Sequence, residues 1–283
     1  MLAPRLIFPP EAARLPYGRQ RRLMPLPRLA DLPDAARHAL WDVDVLASQA
    51  ANLAAHLPSA GLETALPPAK APLHDLHHEL SPLFPLVTAP IALTAARHEW
   101  ATLARVFAQL HDARAARAPG ALLATIHEVM ARLTGDPALR DRDRCASPDR
   151  FGRYVTYPAP ALIGAQLQRI VERVCEPDPR PRSFDLALLL VAITNCHPFI
   201  DGNGRLARIL GNGLLNDSAT VPRLYLPLRE IARLARGGYV LRVRLVETQG
   251  DWVPLARLLR AAMRLWHDHL LHRLELERSH APG

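Results

Sequence analysis

Residues 183–215 read SFDLALLLVAITNCHPFIDGNGRLARILGNGLL. An apolar helix over 183–195 runs into a loop, and a second helix over 204–215 runs out of it. The loop holds His197, Asp201, two glycines, Asn203 and Arg205 within nine residues. Helical spacing recurs outward from this pair, at 160–175, 228–236, 238–248 and 252–275. From Asp34 to His56, Ala36, Leu40, Val43, Leu46, Ala50 and Leu53 follow the same period, with Asp34 as N-cap. Thr94 to Ala118 puts Trp100, Leu103, Val106, Phe107 and Leu110 on one stripe, and Pro119-Gly120 ends it. Ala121 to Leu133 is a further helix, stopped by Gly135-Asp136-Pro137.

Two stretches depart from this pattern. Residues 139–157, LRDRDRCASPDRFGRYVTY, form the one expected hairpin, with Pro148-Asp149 and Gly152 at its turn. Residues 1–40 are rich in Pro and Arg, and prolines recur from Pro58 to Pro90, where only short helices fit. The expected fold is all-α with one β-hairpin and an N-terminal helical extension. The expected division is 1–94 as extension, 95–275 as core domain and 276–283 as tail.

The composition agrees. Hydrophobic residues at 49% and charged residues at 22% are globular values and argue against disorder for the bulk of the chain. The longest apolar run, Leu186 to Thr194, falls far short of the ~20 residues of a membrane span. The opening MLAPRLIFPPEAARLP lacks a signal-peptide core, so a cytoplasmic location is expected. Cys145, Cys175 and Cys196 are odd in number and form no CxxC pair, against a disulfide framework or thiolate zinc site. The net charge of +8 fits a nucleic acid, a nucleotide or an acidic partner and does not choose among them. GRQRR, 18–22, reads as solvated linker.

The loop carries the chemistry. Gly202 and Gly204 can take positive φ and admit a ligand close to the backbone, and Asn203 tolerates the same geometry. Successive N–H groups in such a turn form an anion-binding nest, to which the N-terminus of the following helix adds. Arg205 and Arg208, three apart, emerge on one face of its first turn, where forked guanidiniums suit phosphate oxygens. Asp201 is the one acid inside this basic nest. Beside bound phosphates it calls for a bridging cation, and magnesium uses one or two carboxylates plus phosphate oxygens. His197 is the group that titrates near neutral pH, the natural proton acceptor. Singly, each residue also has a plain structural role as cap, turn or loop; their conjunction is what points to a site.

HPFIDGNGRLAR, 197–208, resembles the signature HxFx(D/E)GNGRxxR of the Fic family at every fixed position. The order of elements around it is also similar, over roughly residues 95–275. The resemblance implies an all-α core that transfers AMP from ATP to a Tyr, Thr or Ser hydroxyl of a target protein, releasing pyrophosphate. It implies His197 as base, Phe199 as an anchor of the loop in the core, and Asp201 as ligand of Mg²⁺. Gly202, Asn203 and Gly204 would cradle the α- and β-phosphates, and Arg205 and Arg208 would hold the β and γ groups. The hairpin would be the family's flap, presenting the target by strand addition, and Tyr239 would border the adenine.

Many members carry an inhibitory (S/T)xxxE(G/N) helix whose Glu pairs with the motif's second Arg. Ser59 and Glu63 are the one pair here with that spacing, which would set Glu63 against Arg208. Failing that, restraint would come from a separate antitoxin chain, and a homodimer is a further partner to consider. Within the fold, the alternative is a transferase or de-AMPylase that uses another nucleotide or group. From another class, the alternative is a basic helical nucleic-acid-binding or adaptor protein, though no recognition helix or stacking pattern supports it.

Overall fold

The computed structural model describes residues 21–56, 94–146, 156–216, 224–229 and 238–280. Eight α-helices run through them. These are α1 (Asp34–Ala55), α2 (Thr94–Ala115), α3 (Pro119–Thr134), α4 (Ile163–Cys175), α5 (Arg182–Cys196), α6 (Asn203–Leu215), α7 (Gly238–Gln249) and α8 (Val253–His280). The architecture is all-α, and no strand forms among the described residues. The flanks of the expected hairpin do pair, through one antiparallel bridge between Cys145 and Thr156 and a Tyr157 N–H to Arg144 carbonyl bond of 2.9 Å. Its turn, 147–155, lies outside the described residues, as do residues 230–236 of the helix expected over 228–236.

Helix α3 starts at Pro119, two residues before the expected Ala121, because a proline in the first turn gives up an N–H that has no intrahelical partner anyway. Helix α2 stops at Ala115 rather than at Ala118, because Arg117 turns left-handed (φ of 52°) and the N–H groups of Arg117 and Ala118 close back on the carbonyls of Arg114 and Ala113.

Helix α5 is the centre of the molecule. Every residue of it except Arg182 and Thr194 is buried, which requires an apolar side chain on nearly all sides. Its one buried acid, Asp185, is fully buried and held by Arg114 and by Arg180 Nε at 2.8 Å. A buried carboxylate without such partners would be strongly destabilising. The N-terminus of α5 is capped from outside: Asp44 of α1 accepts from the backbone N–H groups of Arg182 (2.7 Å) and Ser183 (2.8 Å). Ser183 Oγ in turn donates to the Leu40 carbonyl at 2.6 Å. Helix α1 lies along α8, and its Leu40, Val43 and Ala47 join the same core as α5 and α6.

Helix α6 crosses α5 and α2 at glycines. A β-carbon on Gly211 would stand 2.4 Å from Leu186 Cδ1 and 3.3 Å from Leu186 Cα, and one on Gly213 would stand 2.3 Å from Leu110 Cδ2. Both leucines are fully buried and have nowhere to go. Gly211→Ala is therefore expected to destabilise the protein by about 1–3 kcal/mol through overpacking, despite the better helix propensity of alanine. Gly164→Ala in α4, where nothing lies within 4 Å, is expected to stabilise by roughly 0.5–1 kcal/mol. Thermal denaturation of the two variants checks the contrast; a Tm that rises in Gly211→Ala would rule out so close a crossing.

Candidate active site

A cleft of about 410 Å³ opens where α5 hands over to α6. His197, Asp201, Gly202, Asn203, Gly204, Arg205, Arg208 and Arg229 line it. The loop is built by two left-handed residues. Helix α5 ends at His197, whose φ of 49° is costly for a side chain other than glycine, and α6 starts from Gly202 with φ of 83°. Space is also tight at Gly202, where a β-carbon would come within 2.9 Å of Met130 Cε and 3.1 Å of Thr134 Cγ2. Asn203 locks the turn between them: its Oδ1 accepts from the Phe199 N–H (3.0 Å) and its Nδ2 donates to the Phe199 carbonyl (2.9 Å). Phe199 itself is buried, an anchor as expected. No side chain caps α6, so its first N–H groups face the cleft without an intrahelical acceptor. The Asn203 amide thus serves the loop, and its contribution to the nest is its backbone.

His197 stacks on Tyr157, ring centroids 3.7 Å apart and planes 10° from parallel. Burial first, then the charges of Arg140 and Arg21, push its pKa down to about 4, against the Thr194 backbone and Asp201, which favour the charged ring. The imidazole is therefore neutral at pH 7. Nδ1 is buried and makes no hydrogen bond. Nε2 is left as the nitrogen that can meet a substrate in the cleft.

The arginines are held in different ways. Arg205 pairs with the exposed Asp201 at 2.8 Å. Arg208 is gripped by Glu99 of α2, which accepts from Nε at 3.0 Å and from Nη2 at 2.5 Å. Burial would lower the Arg208 pKa, but the hydrogen bonds and charge of Glu99 outweigh it and raise it. Arg229 lines the cleft, and none of the described carboxylates pairs with it. Tyr239 does not line the cleft. It is half-buried against the core near Arg208, Glu99 and Glu247, and burial pushes its phenol up to about 12. Ser59 and Glu63 lie outside the described residues; the carboxylate found on Arg208 is Glu99.

Arg140, Arg21, Glu99 and Arg229 were missed by sequence reasoning. Arg140, buried, donates to the carbonyls of His197 (2.7 Å), Arg142 (3.0 Å) and Pro158 (2.5 Å), while its own N–H bonds the Pro198 carbonyl (2.9 Å). It ties the motif loop to both flanks of the hairpin. In LRDRDR nothing separates it from Arg142 or Arg144. Arg21 corrects the reading of GRQRR as solvated linker: it is buried, bonds Glu247 at 3.0 Å and lies 5.2 Å from the Tyr157 ring centroid. Glu247 is pushed up by burial, with Arg21 and Asn195 opposing. The backbone around Arg21 is tied in as well. Its N–H donates to Thr156 (2.9 Å), and Asn195, two residues before His197, accepts from the Met24 N–H (2.9 Å).

Residues 119–215 match the model of the Fic/DOC family. Over that stretch the chain is similar to the family. A Fido domain-containing protein of Dictyostelium discoideum is 37% identical over 70 residues, 24% of this chain and 49% of that relative, so the chain matches about half of the relative's length. The crystal structure of a Fic family protein from Desulfovibrio desulfuricans G20 is similar with a TM-score of 0.55, at 17% identity, over 89% of this chain and 77% of that one. At that identity the likeness speaks for the fold. The matched stretch runs from α3 to α6 and so contains the motif loop, whereas Arg21, Glu99, Arg229 and Tyr239 lie outside it.

Among the described residues no cluster of three or more His, Cys, Asp or Glu could hold a metal alone, and no helix is long and apolar enough to cross a membrane. Titration of the His197 ring by NMR is expected to give a midpoint near 4, and Arg140→Met to raise it toward the ordinary 6.5. Because the unfolded chain takes up this proton first, stability is expected to fall as pH drops from about 6.5 to about 4. A midpoint at 6 or above in the wild-type protein would contradict the buried, neutral ring.

Proposed function

We propose that the protein transfers AMP from ATP to a hydroxyl side chain of a target protein, releasing pyrophosphate. The observation that carries this is the grouping, in one cleft, of an uncapped helix N-terminus, a glycine turn, three guanidiniums and a neutral imidazole at the edge. Preorganised N–H groups and guanidiniums aimed at one place suit a polyphosphate, and in-line displacement at phosphorus needs little beyond positioning, charge neutralisation and a base. The match of residues 119–215, which hold all of the cleft's lining except Arg229, to the Fic/DOC family model supports a transferase.

In this reading the N–H groups at Gly202, Asn203 and Gly204 cradle the α- and β-phosphates. Arg205, Arg208 and Arg229 neutralise the distal charge. Nε2 of His197 accepts the proton as the target's hydroxyl oxygen attacks the α-phosphorus and the bond to pyrophosphate breaks. A pKa of about 4 leaves the ring uncharged in the resting enzyme, with one nitrogen free to accept a proton, and the negative charge of bound phosphates would raise it toward a better base. Asp201 is exposed, with Oδ2 on Arg205, and offers a hard oxygen of the kind Mg²⁺ takes alongside phosphate oxygens. Held there, the ion would supply neutralisation of phosphate charge. Residues 139–157 would present the target segment by strand addition.

Incubation with α-³²P-labelled ATP, Mg²⁺ and a cell lysate is expected to label protein. His197→Ala is expected to reduce labelling by about 10²–10⁴-fold while MgATP still binds by calorimetry. Undiminished labelling by His197→Ala would remove His197 as the base, and a wild-type chain that binds no nucleoside triphosphate would overturn the proposal.

A further inference from the structure

We infer that Glu99 is a positioning residue of the anion site, holding Arg208 from the side turned away from the cleft so that Nη1 faces the glycine turn. This rests on the reading of the cleft as a polyphosphate site and adds a residue outside its motif. Three observations carry it. The Glu99 carboxylate occupies Nε and Nη2 of the guanidinium, and its Oε2 also accepts from Tyr225 Oη at 2.5 Å. Its side chain is 2% exposed, and Glu99 is not among the residues lining the cleft. Arg208 Nη1 is the atom nearest the space beside Gly204, 3.4 Å from where a β-carbon would stand. The fork is thus divided, one edge spent on the protein and the remaining nitrogen turned to the nest.

A carboxylate that shuts out a phosphate must stand where the phosphate would lie. Glu99 stands behind the guanidinium instead, between Arg208 and the buried Tyr225, whose ring packs edge-on against Trp100 at 6.1 Å. The pair has two effects. It compensates a guanidinium that is itself largely buried, which would be costly alone. It also removes the rotamer freedom that a long side chain otherwise loses when it grips an anion.

Calorimetric titration of wild type, Glu99→Gln, Arg208→Ala and the double variant with MgATP, AMP and inorganic tripolyphosphate tests this. Glu99→Gln is expected to weaken MgATP and tripolyphosphate about tenfold, to leave AMP unchanged, and to add nothing in the Arg208→Ala background. Tighter polyphosphate binding by Glu99→Gln would make the carboxylate an occluding group and overturn the inference. Unchanged polyphosphate binding, or an equal loss for AMP, would reduce the pair to fold support and overturn it as well. A wild-type protein that takes tripolyphosphate but not MgATP sinks the nucleotide reading alone, and the Glu99 comparison is then made on tripolyphosphate; binding of neither sinks both. If Glu99→Gln does not fold, Tyr225→Phe, which removes one hydrogen bond to the carboxylate, is expected to weaken polyphosphate about threefold, and unchanged or tighter binding decides against the inference.

Discussion

Between His197 and Asn203 the backbone leaves one helix through a left-handed residue and enters the next through another, and side-chain hydrogen bonds to the main chain hold it there. Asn203 bridges both backbone groups of Phe199, and Arg140 takes up the carbonyl of His197. Left to itself, a non-glycine residue at φ of 49° would relax, at a gain of order 1–3 kcal/mol. The hydrogen bonds offset that cost, each contributing about 1 kcal/mol net and costing more if one partner is lost. The strain falls on the imidazole-bearing residue, so the placing of that ring and the opening of the helix N-terminus come from the same turn.

The charge of the chain has a different meaning inside the fold than in the composition. Arg21, Arg140, Arg180 and Arg208 are spent on buried carboxylates and carbonyls that close the structure, and Asp185 is compensated on two sides. Each buried pair removes one positive and one negative charge, so the net +8 is carried almost entirely by the remaining groups, while the number of arginines free to meet an anion is smaller than the composition suggests. Within the cleft the same sorting applies: one guanidinium leans on Asp201 and another on Glu99, and Arg229 comes from a segment far from the motif.

The stretch from Arg21 to Leu26 connects this site to the rest of the molecule. Its backbone bonds Asn195 at the end of α5 and Thr156 at the hairpin flank, and Arg21 reaches Tyr157, the ring on which His197 stacks. Helix α1, which follows, caps α5 at its other end through Asp44. The N-terminal part of the described chain thus grips both ends of the central helix and belongs to the same core.

The amino-acid sequence by itself determined the helices, because their apolar period is local, and the motif loop, because His, Asp, Gly and Arg at that spacing are rare together. It also determined where the chain must turn, since Pro and Gly constrain φ wherever they stand. Tertiary structure alone decided which arginines face the cleft, which carboxylate meets Arg208, and why His197 is neutral. Those outcomes depend on desolvation and on partners 57 to 109 positions away, Arg140 for His197 and Glu99 for Arg208, and no local pattern encodes a contact made only when distant helices pack.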